Sequence, residues 1–283
     1  MMRFVVAAMA CAVAVPLAGA QQATFSSGAV AVRVDVSVTS RGRPVLSLTA
    51  ADFEVFDNGV RQKIQLVDTG EVPVDLVLAL DTSGSVTGSR ITELRSASAT
   101  LLKLLTPQDR AGILTFNQQV VLRAALSPDF GAVRRALDVE LRPGNRTSLV
   151  DAVYAALAHA DGGAGRALAI VLSDGVETGS WLRAADVAET AKRLDVVLFG
   201  VSIGAPRRNA LDDIAEASGG ELIRIESQAQ LTAALETLMR DFRQRYLLSY
   251  TPEGVAAGGW HRLEVRVKRR GVRVQAREGY FSS

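Results

Sequence analysis

Asp81, Ser83 and Ser85 stand at alternate positions directly after the apolar run 74–80, VDLVLAL. A loop curling over the end of a buried strand aims side chains two and four residues apart at one point. Their carboxylate and hydroxyl oxygens are hard ligands, suited to Mg²⁺, Mn²⁺ or Ca²⁺. A second apolar run, 167–173 (ALAIVLS), leads into Asp174, and Thr147 stands in GNRTSLVDA ahead of a helical stretch. Three loops at one sheet edge would then offer five oxygen donors: Asp81, Ser83, Ser85, Thr147 and Asp174. Ser and Asp after a strand also serve as turn and helix-cap residues, so the pattern alone admits both readings.

The elements that must position these residues follow from periodicity. Short apolar runs at 74–80, 110–116, 167–173, 195–204 and 220–225 read as strands covered on both faces. VVLRAAL, 120–126, reads as a short antiparallel edge. Amphipathic helices are expected at 89–105, 130–137, 149–160, 184–194, 207–217 and 229–243. Apolar strands alternating with helices predict a doubly wound α/β domain with a mostly parallel sheet, over residues 72–245. Ligands in such folds sit outside the carboxyl ends of the strands, where Asp81, Thr147 and Asp174 all fall.

Segments of a different rhythm flank this domain. Residues 31–38 alternate strictly, with Val32, Val34, Val36 and Val38 on one face. Asn58-Gly59 suits the left-handed positions of a tight hairpin turn. At the C-terminus YLLSYTP, WHRLEVRVKR and VRVQAREGYF read as three strands. The segments 23–71 and 246–283 are expected to pair into one small β unit, because each alone is too short to be stable.

The arrangement resembles the von Willebrand factor type A family, whose metal-ion-dependent adhesion site carries the motif DTSGS seen here at 81–85. That resemblance implies direct metal contact from Ser83, Ser85 and Thr147. It implies that Asp81 and Asp174 act mainly through bound water. It further implies a protein ligand presenting an Asp or Glu to the metal, with Mg²⁺ as the first expectation and Mn²⁺ or Ca²⁺ as alternatives. The flanks look like a bacterial secreted subgroup with a DNG turn (57–59), a YxLxYxP segment (246–252) and a final Gly279-Tyr280. Arg146, Glu177 and Trp181, beside the threonine and aspartate loops, are candidates for selectivity around the ion.

Other chemistry finds little support in the residues. A serine nucleophile needs a base in reach, and the two histidines, His159 and His261, fall outside the strand-end loops. Nucleotide-loop, zinc-protease and nucleophile-elbow patterns do not occur. The reading is therefore of a binding module and not an enzyme. The alternatives are a structural assembly protein whose metal only braces the fold, or a metal-assisted hydrolase, which would need a general base. The formal net charge of +2, from 32 basic and 30 acidic residues, gives no reason to expect nucleic acid. The basic run 268–277 reads as a charged outer strand face.

Arg3, an apolar stretch and the small-residue pattern at 18–20 read as a signal peptide cut after Ala20. The only cysteine, Cys11, lies inside it, so the mature chain would hold no disulfide or thiolate. No transmembrane anchor is expected after cleavage. An exported bacterial protein of the periplasm, cell surface or medium is expected.

Overall fold

Strand β1 (Val32–Ser40) is followed by β2 (Arg43–Pro44), β3 (Phe53–Asp57), β4 (Val60–Gln62) and β5 (Leu66–Thr69). The central domain follows, with β6 (Val74–Asp81), α1 (Ser89–Leu102), β7 (Arg110–Phe116), β8 (Val120–Ser127), α2 (Phe130–Arg135), α3 (Leu149–Ala160) and β9 (Arg166–Ser173). It continues through α4 (Ala184–Arg193), β10 (Val196–Ile203), α5 (Ala210–Ala217), β11 (Leu222–Ile225) and α6 (Leu231–Arg243). The chain ends in β12 (Tyr246–Tyr250), β13 (Gly259–Val267), β14 (Arg273–Gln275) and β15 (Gly279–Ser282). This computed structural model describes residues 31–69, 72–84, 89–138, 144–163, 165–174, 176–203 and 207–282. Ser85 and the expected signal segment with Cys11 lie outside the described residues.

The central sheet has the order β11-β10-β9-β6-β7-β8, parallel except for the antiparallel edge β8. Its inner strands are mostly apolar and buried because helices cover both faces. Leu76, Leu78 and Leu80 of β6 pack toward α1 and α6, while Val77 and Ala79 pack toward α3. Full burial of each such side chain contributes about 1.5–3 kcal/mol, which is why this layer organises the molecule.

The terminal segments form two antiparallel sheets, β14-β1-β12-β5 with β2 beside β1, and β15-β13-β3-β4. Val34 and Val36 from one sheet and Phe53 and Val55 from the other share a core with Tyr246 and Tyr250. Asn58 and Gly59 adopt positive φ of 47° and 82°, the left-handed turn expected of that pair. The expected third terminal strand is two strands. Residues 276–278 break it, because β14 pairs with β1 in one sheet and β15 with β13 in the other.

This β unit is fixed to the end of the central sheet where its strands begin. Asp35 of β1 accepts hydrogen bonds from Arg166 at 2.9 and 3.0 Å and from Arg245 at 2.7 Å. Arg166 opens β9 and Asp174 follows its last residue, so the β unit and the candidate loops lie about 25 Å apart along that strand. Among the described residues no helix is long and apolar enough to cross a membrane.

Candidate functional site

Strand β6 delivers Asp81 to the carboxyl edge of the sheet with its side chain buried. Asp81 Oδ1 accepts from the Ser83 backbone N–H at 2.8 Å, and the Ser83 hydroxyl also bonds this carboxylate. Asp81 Oδ2 accepts from the Ser173 hydroxyl at 2.7 Å. The next residue of the neighbouring strand is Asp174, and the two aspartates line one small cavity with Leu94, Leu172, Val201 and Leu231. Burial foremost pushes the Asp81 carboxyl above its usual range, and the charge of Asp174 adds to it against the serine hydrogen bonds. Neither aspartate forms an ion pair with a basic side chain among the described residues.

The loops are stitched to one another by backbone contacts. The Gly144 N–H donates to Thr82 O at 3.3 Å, and Ser83 bridges to Gly144 in parallel fashion. A Cβ at Gly144 would fall 2.6 Å from Asn117 Cβ, too close for any side chain, so glycine suits this approach. The Ser148 N–H donates to Asn117 O at 2.7 Å. Thr147, itself buried, donates its N–H to Thr178 Oγ1 at 2.8 Å and accepts from the Thr178 N–H at 3.0 Å. The loop after Asp174 is thus locked onto the loop that carries Thr147.

Asp81, Ser83 and Asp174 therefore come together, and Thr147 sits in a loop tied to both neighbours. Ser85 is not among the described residues. No three His, Cys, Asp or Glu side chains gather as a metal cage among the described residues, and the candidate set draws on only two carboxylates. Sequence reasoning missed Ser173, whose only signal was a lone hydroxyl closing an apolar strand.

Glu177 has a structural part that the sequence did not announce. Its carboxylate accepts from the N–H groups of Val150, Gly179 and Ser180 and from the Ser180 hydroxyl, at 2.7–3.0 Å. Partial burial opposes its charge, but these bonds outweigh that and hold its carboxyl below the usual range. It organises the loop and the start of α3. Arg146 rests its guanidinium on Thr178 O, and Trp181 is 94% exposed. The backbone N–H groups of Trp181 and Leu182 are held by Asp151. His159 is exposed on α3, and His261 is buried in the β unit.

Comparison with solved structures supports this architecture. A von Willebrand factor type A protein from Catenulispora acidiphila is 16% identical, over 82% of this chain and 72% of that one, with a TM-score of 0.55. Proximal thread matrix protein 1 from the mussel byssus is 16% identical over 61% of this chain, with a TM-score of 0.53. A second structure of that mussel protein, with a zinc-occupied MIDAS motif, is 15% identical over 61% of this chain, with a TM-score of 0.52. The chain covers 49% and 48% of those two mussel chains, about half their length. At these identities the likeness is one of fold. No curated protein matches the sequence significantly. The von Willebrand factor type A domain model matches residues 75–238, more than half of the sequence, and the chain belongs to that family.

Proposed function

We propose that this chain is a metal-dependent protein-binding module of an exported bacterial protein, acting in adhesion or in assembly of an envelope complex. The observation that carries the reading is the pair Asp81 and Asp174, two carboxylates sharing one cavity at the sheet edge with no basic partner among the described residues. A divalent cation suits such a pair, and the hydroxyls of Ser83 and Thr147, with Ser85, complete an oxygen-only donor set. Ser83, Ser85 and Thr147 would hold the ion directly, and Asp81 and Asp174 through water. The zinc-occupied motif of the mussel protein supports a divalent ion in this fold.

A bound divalent ion supplies an anion-attracting centre. Neutral hydroxyls leave its charge available, so an Asp or Glu of a protein partner is the ligand we assign. The Arg146 guanidinium adds positive charge beside the site. The exposed Trp181 indole, on a loop whose backbone is pinned, offers apolar area of the kind that dominates interfaces. Catalysis has no part in this reading, since the Ser83 hydroxyl is engaged by Asp81 and both histidines lie elsewhere.

Capture from a native bacterial envelope, with Mg²⁺ or with EDTA, tests the proposal. One partner should be retained in Mg²⁺, released by EDTA, and lost with Asp81→Ala and Thr147→Ala. Capture that persists in EDTA and in both variants would overturn it in favour of a bracing metal or none.

A further inference from the structure

A second surface, unrelated to the metal edge, is built from two turns that the sequence keeps far apart. One is the β1–β2 turn, carrying Arg41 and Arg43, with positive φ at Arg41 and Gly42. The other is the β13–β14 turn, carrying Lys268, Arg269, Arg270 and Arg273, with positive φ at Gly271. They adjoin because β1 lies between β2 and β14: Ser40 pairs with Arg43, and Thr39 with Arg273. The Ser40 hydroxyl donates to Gly271 O at 3.1 Å, tying one turn to the other.

All six basic residues are exposed. Lys268 donates to Ala51 O with Asp52 nearby, and Arg273 feels the charge of Glu216. Arg41, Arg43, Arg269 and Arg270 form no ion pair among the described residues. The sequence carries no acid between Asp35 and Asp52, nor between Glu264 and Glu278. In a chain whose net charge is only +2, this is a strong local excess. Like charges gathered with so few counter-charges cost stability.

We infer that these paired turns bind the anionic headgroups of a phospholipid surface. Arginine guanidinium groups fit phosphate oxygens by paired hydrogen bonds, and clustered basic residues bind anionic bilayers additively. Neither turn contains an aromatic residue, so the stacking platform that a nucleic-acid strand would use is lacking. Thr39, Gly42 and Arg273 line one cavity with Phe199, Glu221, Asp241 and Arg245, beside the β11 edge of the central sheet and the last turns of α6. The Asp81–Asp174 edge takes no part in this contact. The inference stands whether or not that edge binds metal.

Co-sedimentation of the purified chain with vesicles tests it. Phosphatidylcholine vesicles are compared with vesicles containing 30% phosphatidylglycerol, at low and high salt. Binding is expected only with phosphatidylglycerol and falls as salt screens the charges. Arg41→Ser/Arg43→Ser and Arg269→Ser/Arg270→Ser should each weaken it about thirty-fold. Arg134→Ser/Arg135→Ser, which removes the same charge from α2, should change it less than three-fold, on the order of one distant charge. The melting temperature of each variant shows that folding is intact. Equal binding to both vesicle types, or equal loss in the α2 control, would overturn the inference. So would complete displacement from the vesicles by duplex DNA at matched phosphate concentration, which would reassign the surface to nucleic acid.

Discussion

The Tyr250 hydroxyl donates to Asp57 Oδ2 at 2.8 Å, joining the last residue of β3 to the last residue of β12. Asp57 is fully buried and also accepts from the Tyr280 hydroxyl at 2.7 Å, while its Oδ1 lies 2.7 Å from His261 Nδ1. The aspartate of the DNG turn, the second tyrosine of YLLSY and the tyrosine of the terminal GY are thus one network. Asp57→Ala would strand three buried polar groups and should cost about 3–5 kcal/mol. Tyr250→Phe, which removes one donor to a charged acceptor, should cost about 1.5–3 kcal/mol. Urea unfolding followed by circular dichroism measures both.

The same network fixes an alkaline response. Burial foremost, then the bond to Asp57, push the Tyr250 and Tyr280 hydroxyls well above the usual tyrosine range. In the unfolded chain both ionise near pH 10. Above that pH the unfolded state holds fewer protons than the folded one, so stability falls as pH rises. The slope approaches ~1.4 kcal/mol per pH unit for each tyrosine. Urea midpoints between pH 9 and 11 should show this decline, and Tyr250→Phe/Tyr280→Phe should flatten it.

Asp35 is the hinge of a second, acid-sensitive joint. Burial opposes its ionisation, but the charges of Arg166 and Arg245 and their hydrogen bonds outweigh it and hold its carboxyl below the usual range. Asp109 is lowered likewise, with burial outweighed by the Val74 N–H, Arg243 and the Thr106 N–H. Both contributions are fully present above about pH 4 and are lost as pH falls through the lowered folded values. Asp35→Ala leaves two buried guanidinium groups without their carboxylate and should cost about 3–5 kcal/mol. Acid melts followed by tryptophan fluorescence should lose their low-pH slope in part in that variant.

Much of this was legible in the sequence because it rests on period and burial. The alternating valines of β1 and the continuous apolar runs of the central strands report directly which faces are covered. Asp81 and Asp174 were legible because each ends such a run. The break at 276–278 was not, since pattern does not encode partner choice, and β14 and β15 join different sheets. Nor was the role of Glu177, because a carboxylate capping backbone N–H groups and one facing solvent have the same sequence. The union of Asp57, Tyr250 and Tyr280 depends on strand register across about two hundred residues, which no local signal carries.

Glu177 offers a way to disturb the site without touching a donor. Its carboxylate holds the loop whose Thr178 grips Thr147. Glu177→Ala should cost only about 1 kcal/mol, since the group is exposed and partly screened. Yet it should weaken Mg²⁺ binding several-fold, by loosening Thr147 relative to Asp81. Glu177→Gln keeps some acceptor capacity and should fall between. Isothermal titration with Mg²⁺ would read both, and unchanged affinity in Glu177→Ala would separate the loop from the site.

Metal addition should reverse a repulsion that the metal-free chain carries. Asp81 and Asp174 oppose each other's charge in one cavity, so a cation binding the folded state alone stabilises it by mass action. At a hundred times its dissociation constant, Mg²⁺ would add about 2.7 kcal/mol, or several degrees of melting temperature for a chain this long. Asp174→Asn and Thr147→Ala should both abolish that rise, for different reasons. Asp174→Asn removes the repelling charge, so its metal-free form should melt slightly higher than the wild type, by about 1 kcal/mol or less. Thr147→Ala leaves both charges in place, so its metal-free form should gain nothing. Calorimetry in EDTA and in Mg²⁺ distinguishes the cases. A wild-type melting temperature that ignores Mg²⁺, Mn²⁺ and Ca²⁺ alike would show that the two aspartates share their cavity without a cation.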